Sequence, residues 1–100
     1  MENKEFYKTG KIYKIICNKT GLIYVGCTCK QLSQRLANHR STYKQYLKNN
    51  KNYVTSYKVI ENGDCSIILL ENYPCDNKEQ LNARERFYIE TVECVNKNIY

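Results

Sequence analysis

The sequence predicts a mixed α/β (α+β) fold: a small three-stranded, mainly antiparallel sheet flanked by helices. Three observations predict it. Residues 11–17 and 22–26 are rich in Ile, Val and Tyr and are joined by Asn18-Lys19-Thr20-Gly21, which is a hairpin signal. A further apolar run, Cys65 to Leu70, is bounded by Gly63-Asp64 and by Asn72 with Pro74. Two longer stretches, one from Thr28 or Gln31 to about Leu47 and one opened by Asp76, carry apolar residues at helical spacing.

The chain has 100 residues, so a single domain over residues 1–100 with a modest core is expected. No apolar run reaches the about 18 residues of a spanning helix, and MENKEFYKTG lacks the apolar centre of a signal peptide. The protein is therefore expected to stay intracellular, in cytoplasm or in the nucleus of a host cell, off the membrane and not secreted. Six cysteines are present without a C-x-x-C pair or a zinc spacing; in a reducing compartment most would pack as small hydrophobes. The formal charge is +6. A small basic protein fits a polyanionic partner, nucleic acid first.

In the hairpin, closure by Asn18 and Gly21 sets Tyr13 opposite Gly26 and Ile15 opposite Tyr24. Side chains alternate faces along a strand, so Tyr13 and Tyr24 share a face, one diagonal step apart. Gly26 carries no side chain, and a hollow is expected beside the Tyr13 ring, bordered by two phenol hydroxyls. The plainer alternative is two tyrosines serving as strand formers on a half-buried sheet.

The helix that follows has an apolar stripe of Leu32, Leu36, Tyr43 and Leu47, with Arg35 and His39 stacked one turn apart at its edge. Arg40, Lys44 and Lys48 extend a basic surface. After the polar break at 49–52, Thr55 or Ser56 is expected to cap a short helix that runs through Ile60 and stops at Asn62-Gly63. Cys65 to Leu70 reads as a buried strand, central in the sheet. Asp76 and Glu79 have capping-box spacing. The last helix then shows the stripe Leu81, Glu85, Tyr88, Val92, with a carboxylate where a core residue belongs. A buried carboxylate is costly unless paired, hydrogen-bonded or on a metal. A structural pair with Arg35 or Arg84 is the alternative to a functional role. Cys94-Val95 is expected as a short edge strand.

Together these residues resemble the GIY-YIG nuclease family. Lys11-Ile12-Tyr13 stands for the first motif and Tyr24-Val25-Gly26 for the second, with ten residues between the tyrosines. Arg35, His39, Glu85 in ARERFYIE and Asn96 in CVNKN (rather than Asn98) follow in the family's order, over a motif core of 11–96. Lys11 stands where the family has its first glycine, with Gly10 adjacent, and Val25 replaces Ile. Many relatives carry a separate DNA-targeting domain, for which this chain has no room.

The resemblance implies an endonuclease that hydrolyses DNA phosphodiester bonds with one divalent metal, Mg2+ or Mn2+, leaving a 5′-phosphate and a 3′-hydroxyl. In that reading Glu85 binds the metal and Arg35 holds the phosphoryl oxygens. Tyr13 is the general base; a free phenol has a pKa of about 10, so Arg35, His39 or the metal must help it. Tyr24 hydrogen-bonds the phosphate or orders the water. His39 relays a proton from Tyr13 or binds phosphate, and Asn96 orients a neighbour or the backbone. Gly26 leaves room for the phosphate. Lys30, Arg40 and Lys44 are assigned to phosphate and DNA. No base-reading element is evident, so specificity is expected to be weak or to come from a protein partner, a homodimer or DNA shape. Two alternatives remain: a catalytically silent nucleic-acid-binding module that keeps the fold, and a purely structural or interaction domain.

Overall fold

The computed structural model describes residues 4–49, 56–61 and 63–98. A helical turn, α1 (Lys4–Tyr7), leads into the hairpin β1 (Lys11–Cys17) and β2 (Ile23–Thr28). The helices α2 (Leu32–Asn49) and α3 (Tyr57–Ile60), the strand β3 (Cys65–Asn72), the helix α4 (Lys78–Thr91) and a 3-10 turn (Val95–Asn98) follow. The sheet is antiparallel in the order β2-β1-β3. Architecture and strand number are those expected from the sequence.

The hairpin register is also as expected: Tyr13 pairs with Gly26 and Ile15 with Tyr24. Gly21 turns the chain at φ +77, a left-handed conformation that glycine adopts without steric cost. Asn18 donates its side-chain amide to the Asp64 carboxylate at 2.9 Å, and its backbone N–H to the Asp64 carbonyl at 2.8 Å. The turn is thereby tied to the start of β3.

The sheet centre is β1, not the apolar run 65–70. Ile12, Tyr13, Ile15 and Cys17 have no exposed surface, whereas Ile68 and Leu69 are 43% and 40% exposed. An apolar run alone does not separate a central strand from an edge strand covered on one side. In β3 the register slips between Ile12 and Tyr13, which face Glu71 and Leu69. The extra residue, Leu70, is a bulge of the kind that re-aims side chains. It lets both Leu70 and Glu71 turn toward α4. Leu70 packs against the core there, and Glu71 accepts from Arg84 Nε at 2.7 Å and Tyr88 Oη at 3.0 Å.

Alternation along β1 divides the interior. Ile12 joins Val25, Tyr7, Cys75, Leu81 and Cys94 under α4, while Tyr13, Ile15 and Cys17 join Val59, Cys65 and Val95 under α2 and α3. Leu32 and Leu36 bring α2 onto this second face. The stripe does not continue as expected: Leu47 is 63% exposed. Tyr43 and Tyr46 instead pack on Tyr57 of α3, with ring centres 5.3 and 5.1 Å away.

The helix ends differ in detail from expectation. Ser56 stands at the N-cap of α3 but makes no side-chain capping bond; Thr55 and Asn62 lie outside the described residues. Gly63 ends the turn at φ +76. The cap of α4 falls one residue later than the Asp76/Glu79 spacing suggests. Asn77 accepts from the Gln80 N–H at 2.9 Å, and Gln80 Oε1 accepts from the Asp76 N–H at 2.8 Å. Asp76 meets Lys8 in an exposed ion pair instead. Cys94-Val95 is not an edge strand, because the chain turns into the 3-10 segment there. All six cysteines are free, four of them buried. Among the described residues no helix is long and apolar enough to cross a membrane.

Centre and edge are distinguishable by mutation. Ile15→Ala is expected to lower the unfolding free energy by about 2–5 kcal/mol, a large fraction of the about 5–15 kcal/mol of a small domain. Ile68→Thr on the exposed edge should stay within about 0.5 kcal/mol of the parent. Urea titrations of both variants measure the difference.

Candidate active site

The site forms where β1, β2, α2 and α4 converge. On β1, the Tyr13 ring lies across its strand partner Gly26. A Cβ added at Gly26 would come within 2.5 Å of Tyr13 Oη and 2.6 Å of its Cζ, so any other residue would displace the phenol. The expected hollow beside Gly26 is thus filled by the Tyr13 ring itself, which is wholly buried.

Two side chains of α2, one turn apart, converge on the Tyr13 hydroxyl. His39 Nε2 lies 2.8 Å from it and Arg35 Nε 3.2 Å. Arg35 Nε–H can only donate, so it donates to the phenol oxygen. The single phenol hydrogen is then free to point at His39 Nε2, and the neutral imidazole with its proton on Nδ1 is the tautomer that accepts it. The surroundings hold His39 neutral: burial, and then the Arg35 charge, lower its pKa from 6.5 to about 4.

Cations were expected to make the Tyr13 phenol more acidic. Arg35 acts in that direction, but burial outweighs it and the pKa is raised. His39, being neutral, adds no positive charge. Tyr13 is thus a weak acid at rest, already hydrogen-bonded to a base.

Tyr24 lies on the same sheet face, half-buried, with its ring edge-on to His39 at 5.5 Å between centres. Burial raises its pKa, the Glu85 charge adds to this, and Arg35 opposes it. Glu85 itself is half-buried on α4. The structural alternative, a pair with Arg84 or Arg35, is not what forms. Arg84 bonds Glu71 and lies 4.5 Å from the centre of the Phe87 ring.

The Glu85 carboxylate meets the Cys27 thiol instead, a contact that, after burial, raises the thiol pKa. Cys27 Sγ also lies 3.6 Å from Asn82 Oδ1, three residues before Glu85 on α4. Sequence reasoning left Cys27 out of the site. Strand parity could have found it, since residue 27 must point away from Tyr24 and Gly26, toward the face where α4 packs.

Among the described residues no group of three or more His, Cys, Asp or Glu side chains could form a closed metal cage. A single half-exposed carboxylate outside any ion pair does suit Mg2+ or Mn2+. Such hard cations take one or two protein oxygens and complete their shell with water and phosphate. Glu85 fits that donor chemistry.

Asn96 touches none of these groups. Its Oδ1 accepts from the Val25 N–H and its Nδ2 donates to the Val25 carbonyl, both at 2.9 Å. One side chain thereby replaces a missing strand on the outer edge of β2, between Tyr24 and Gly26. The Asn98 side chain lies outside the described residues. Lys30, Arg40 and Lys44 are exposed. Lys30 precedes α2; Arg40 turns to the β3 flank, where its Nη2 donates to Cys65 Sγ at 3.8 Å, and Lys44 follows one turn later.

The antiparallel sheet, the tyrosine pair around a glycine, and the arginine, histidine and glutamate brought to it define a protein of a nuclease family. The family model described as the GIY-YIG catalytic domain matches residues 9–98, and the chain belongs to that family. Comparison with curated proteins and with solved structures gives no match.

Two outcomes test this geometry. Asn96→Ala leaves the N–H and C=O of Val25 without their partner, and should cost about 1–3 kcal/mol in urea unfolding. His39 binds its proton less readily folded (pKa about 4) than at its ordinary 6.5. The unfolded chain therefore takes up this proton first, and stability is lost as pH falls from 6.5 to 4. The difference in unfolding free energy between the parent and His39→Gln should shrink across that window and level off at either side.

Proposed function

We propose that this protein is a metal-dependent endonuclease that hydrolyses DNA phosphodiester bonds. The observation that carries the reading is the Tyr13 hydroxyl, held between the cation of Arg35 and the neutral acceptor nitrogen of His39. A phenol in that setting can give its proton to His39 Nε2 as its oxygen takes one from a water molecule. The water oxygen then bonds to phosphorus, the P–O3′ bond breaks, the leaving oxygen takes a proton from solvent water, and His39 returns its extra proton to solvent. A 5′-phosphate and a 3′-hydroxyl result. No low phenol pKa is required, because the proton passes along a hydrogen bond already made.

Arg35 and Tyr24 are both half-exposed. A phosphate that draws the Arg35 guanidinium to itself uncovers the Tyr13 oxygen and gains a forked cation as negative charge builds. Tyr24 hydrogen-bonds the phosphate or orders the water. Glu85 would hold Mg2+ or Mn2+, with Cys27 and Asn82 beneath it. When bound, such a cation supplies positive charge at the scissile phosphate and leaving oxygen. Asn96 keeps Tyr24 and Gly26 in register through Val25. Six free thiols, four of them buried, suit a reducing, intracellular compartment.

The competing reading is a nucleic-acid-binding module without the reaction. It draws on one observation, that Tyr13 has no exposed surface. Incubating supercoiled plasmid with Mg2+ or Mn2+, and in parallel with chelator, separates the two. Nicking or linearisation is expected with metal only. Tyr13→Phe should lower the rate by about 10²–10⁴ and Glu85→Ala should abolish it, with DNA binding retained in both. Binding without cleavage by the parent protein, under either metal and on branched as well as plain DNA, would favour the silent module.

A further inference from the structure

Residues 6–60 contain no aspartate or glutamate. Twelve of the sixteen lysines and arginines lie in residues 1–60 against two acids, while residues 61–100 hold four against eight. The two parts meet at the end of α2, where Glu61 borders a hollow with Arg40 and Lys44. The helix α2 belongs wholly to the cationic part, and β3 and α4 to the acidic part.

The inner side of α2 is occupied by Leu32, Arg35, Leu36 and His39, turned to the sheet. Its outer side is polar, small and exposed, with Ala37 at the crest. Two hollows flank that crest and share Ala37. One, of about 320 Å³, adjoins the end of β2 and is completed by Lys30, Gln34 and Asn38. The other, of about 550 Å³, opens on the β3 flank beside Ile67 and is bordered by Arg40 and Lys44. Neither lining contains a carboxylate.

We propose that α2 lies in the major groove of B-form DNA. Ala37 faces the base edges, Lys30 touches the backbone of the strand to be cut, and Arg40 and Lys44 touch the backbone of the other. The inference rests on DNA being the substrate, as argued above. A helix with its side chains is about 10–12 Å across, and the major groove of B-DNA is about 12 Å wide. Cations on both flanks of a low crest match two phosphate walls and a floor.

Other nucleic acids fit less well. The deep, narrow major groove of A-form RNA does not admit side chains. Single strands are held by stacking on aromatic rings, and neither hollow is lined by one; Tyr43 is turned onto Tyr57. Gln34 and Asn38, one turn apart on the flank next to the site, carry the amides that pair with adenine edges. The helix therefore supplies a base-reading element that the sequence pattern did not suggest. The strand on that flank is the one brought nearest Tyr24 and Arg35.

Fluorescence anisotropy in chelator, where cleavage is blocked, tests the proposal. The probe is a short DNA duplex, compared with the same duplex bearing glucosylated 5-hydroxymethylcytosine, which fills the major groove. The same duplex with netropsin, which fills the minor groove, and the matching RNA duplex and DNA single strand complete the set. Glucosylation is expected to weaken binding by about tenfold or more, and RNA and single strand to bind weaker by a similar factor. Netropsin should change little.

Ala37→Glu, at an exposed helical position, should weaken duplex binding about tenfold with unchanged circular dichroism. Replacing both Arg40 and Lys44 by Gln should reduce the salt slope by about 2. Binding that netropsin blocks and glucosylation spares would overturn the proposal, as would an unchanged affinity in Ala37→Glu. A protein that cuts plasmid in metal yet is indifferent to the filled major groove loses only this inference, whereas one that binds no DNA loses the nuclease reading as well.

Discussion

The Tyr13 hydroxyl accepts from Arg35 and is paired with His39, and much of the architecture follows from that one atom. Both partners come from α2, four residues apart, so the pair fixes the rotation of the helix against the sheet. The central strand places the phenol under α2 with no exposed surface. Its ring in turn requires a glycine across the ladder, because the approach to Gly26 leaves no room for a methyl group. The edge strand carrying Gly26 is steadied from outside by Asn96. Core, hairpin and helix thus answer to one polar contact inside an otherwise apolar layer.

The electrostatics of the site are set by which effect wins where. Burial opposes charge on Tyr13, Tyr24, Cys27 and His39 alike, and in each it is the largest cause of the shift. Arg35 relieves the three acids partly and presses His39 further toward neutrality. The resting site therefore holds neutral tyrosines, a neutral thiol and a neutral imidazole around one guanidinium. Charge in this environment is created only when a proton moves between groups already in contact, or when an anion arrives to be held. Glu85 stands apart at the rim, where α4 leaves it half-exposed.

What the sequence made legible was local and periodic. The turn at Asn18–Gly21 set the hairpin register, and with it the shared face of Tyr13 and Tyr24. Helical spacing put Arg35 and His39 on one edge of α2. What escaped was decided by neighbours far along the chain. The run from Cys65 to Leu70 is apolar enough for a central strand, yet its neighbour β1 holds that place, and only pairing partners reveal which strand lies inside. Leu47 continues an apolar stripe beyond the sheet it was meant to cover. The cap of α4 lies at Asn77 because Asp76 meets Lys8, a residue distant in sequence. The hollow expected at Gly26 is not open, because the Tyr13 ring lies in it; a missing side chain says nothing about what fills the gap. Arg84 was a reasonable partner for Glu85 until the bulge at Leu70 turned Glu71 toward it.

The clamp on Val25 also has a bearing on the time course of folding. It joins residues 71 positions apart, so it forms long after the hairpin itself has been made. While the chain is being synthesised, β1 and β2 can zip together as soon as they emerge, but the outer edge of β2 stays open until Asn96 has left the ribosome. Until then the register of Tyr24 and Gly26 against Tyr13 rests on the turn and the β1–β2 pairing, without the outer support. Synthesis order therefore lets the tyrosine pair form well before its outer support arrives, and the nascent chain can meet nucleic acid before its site is complete.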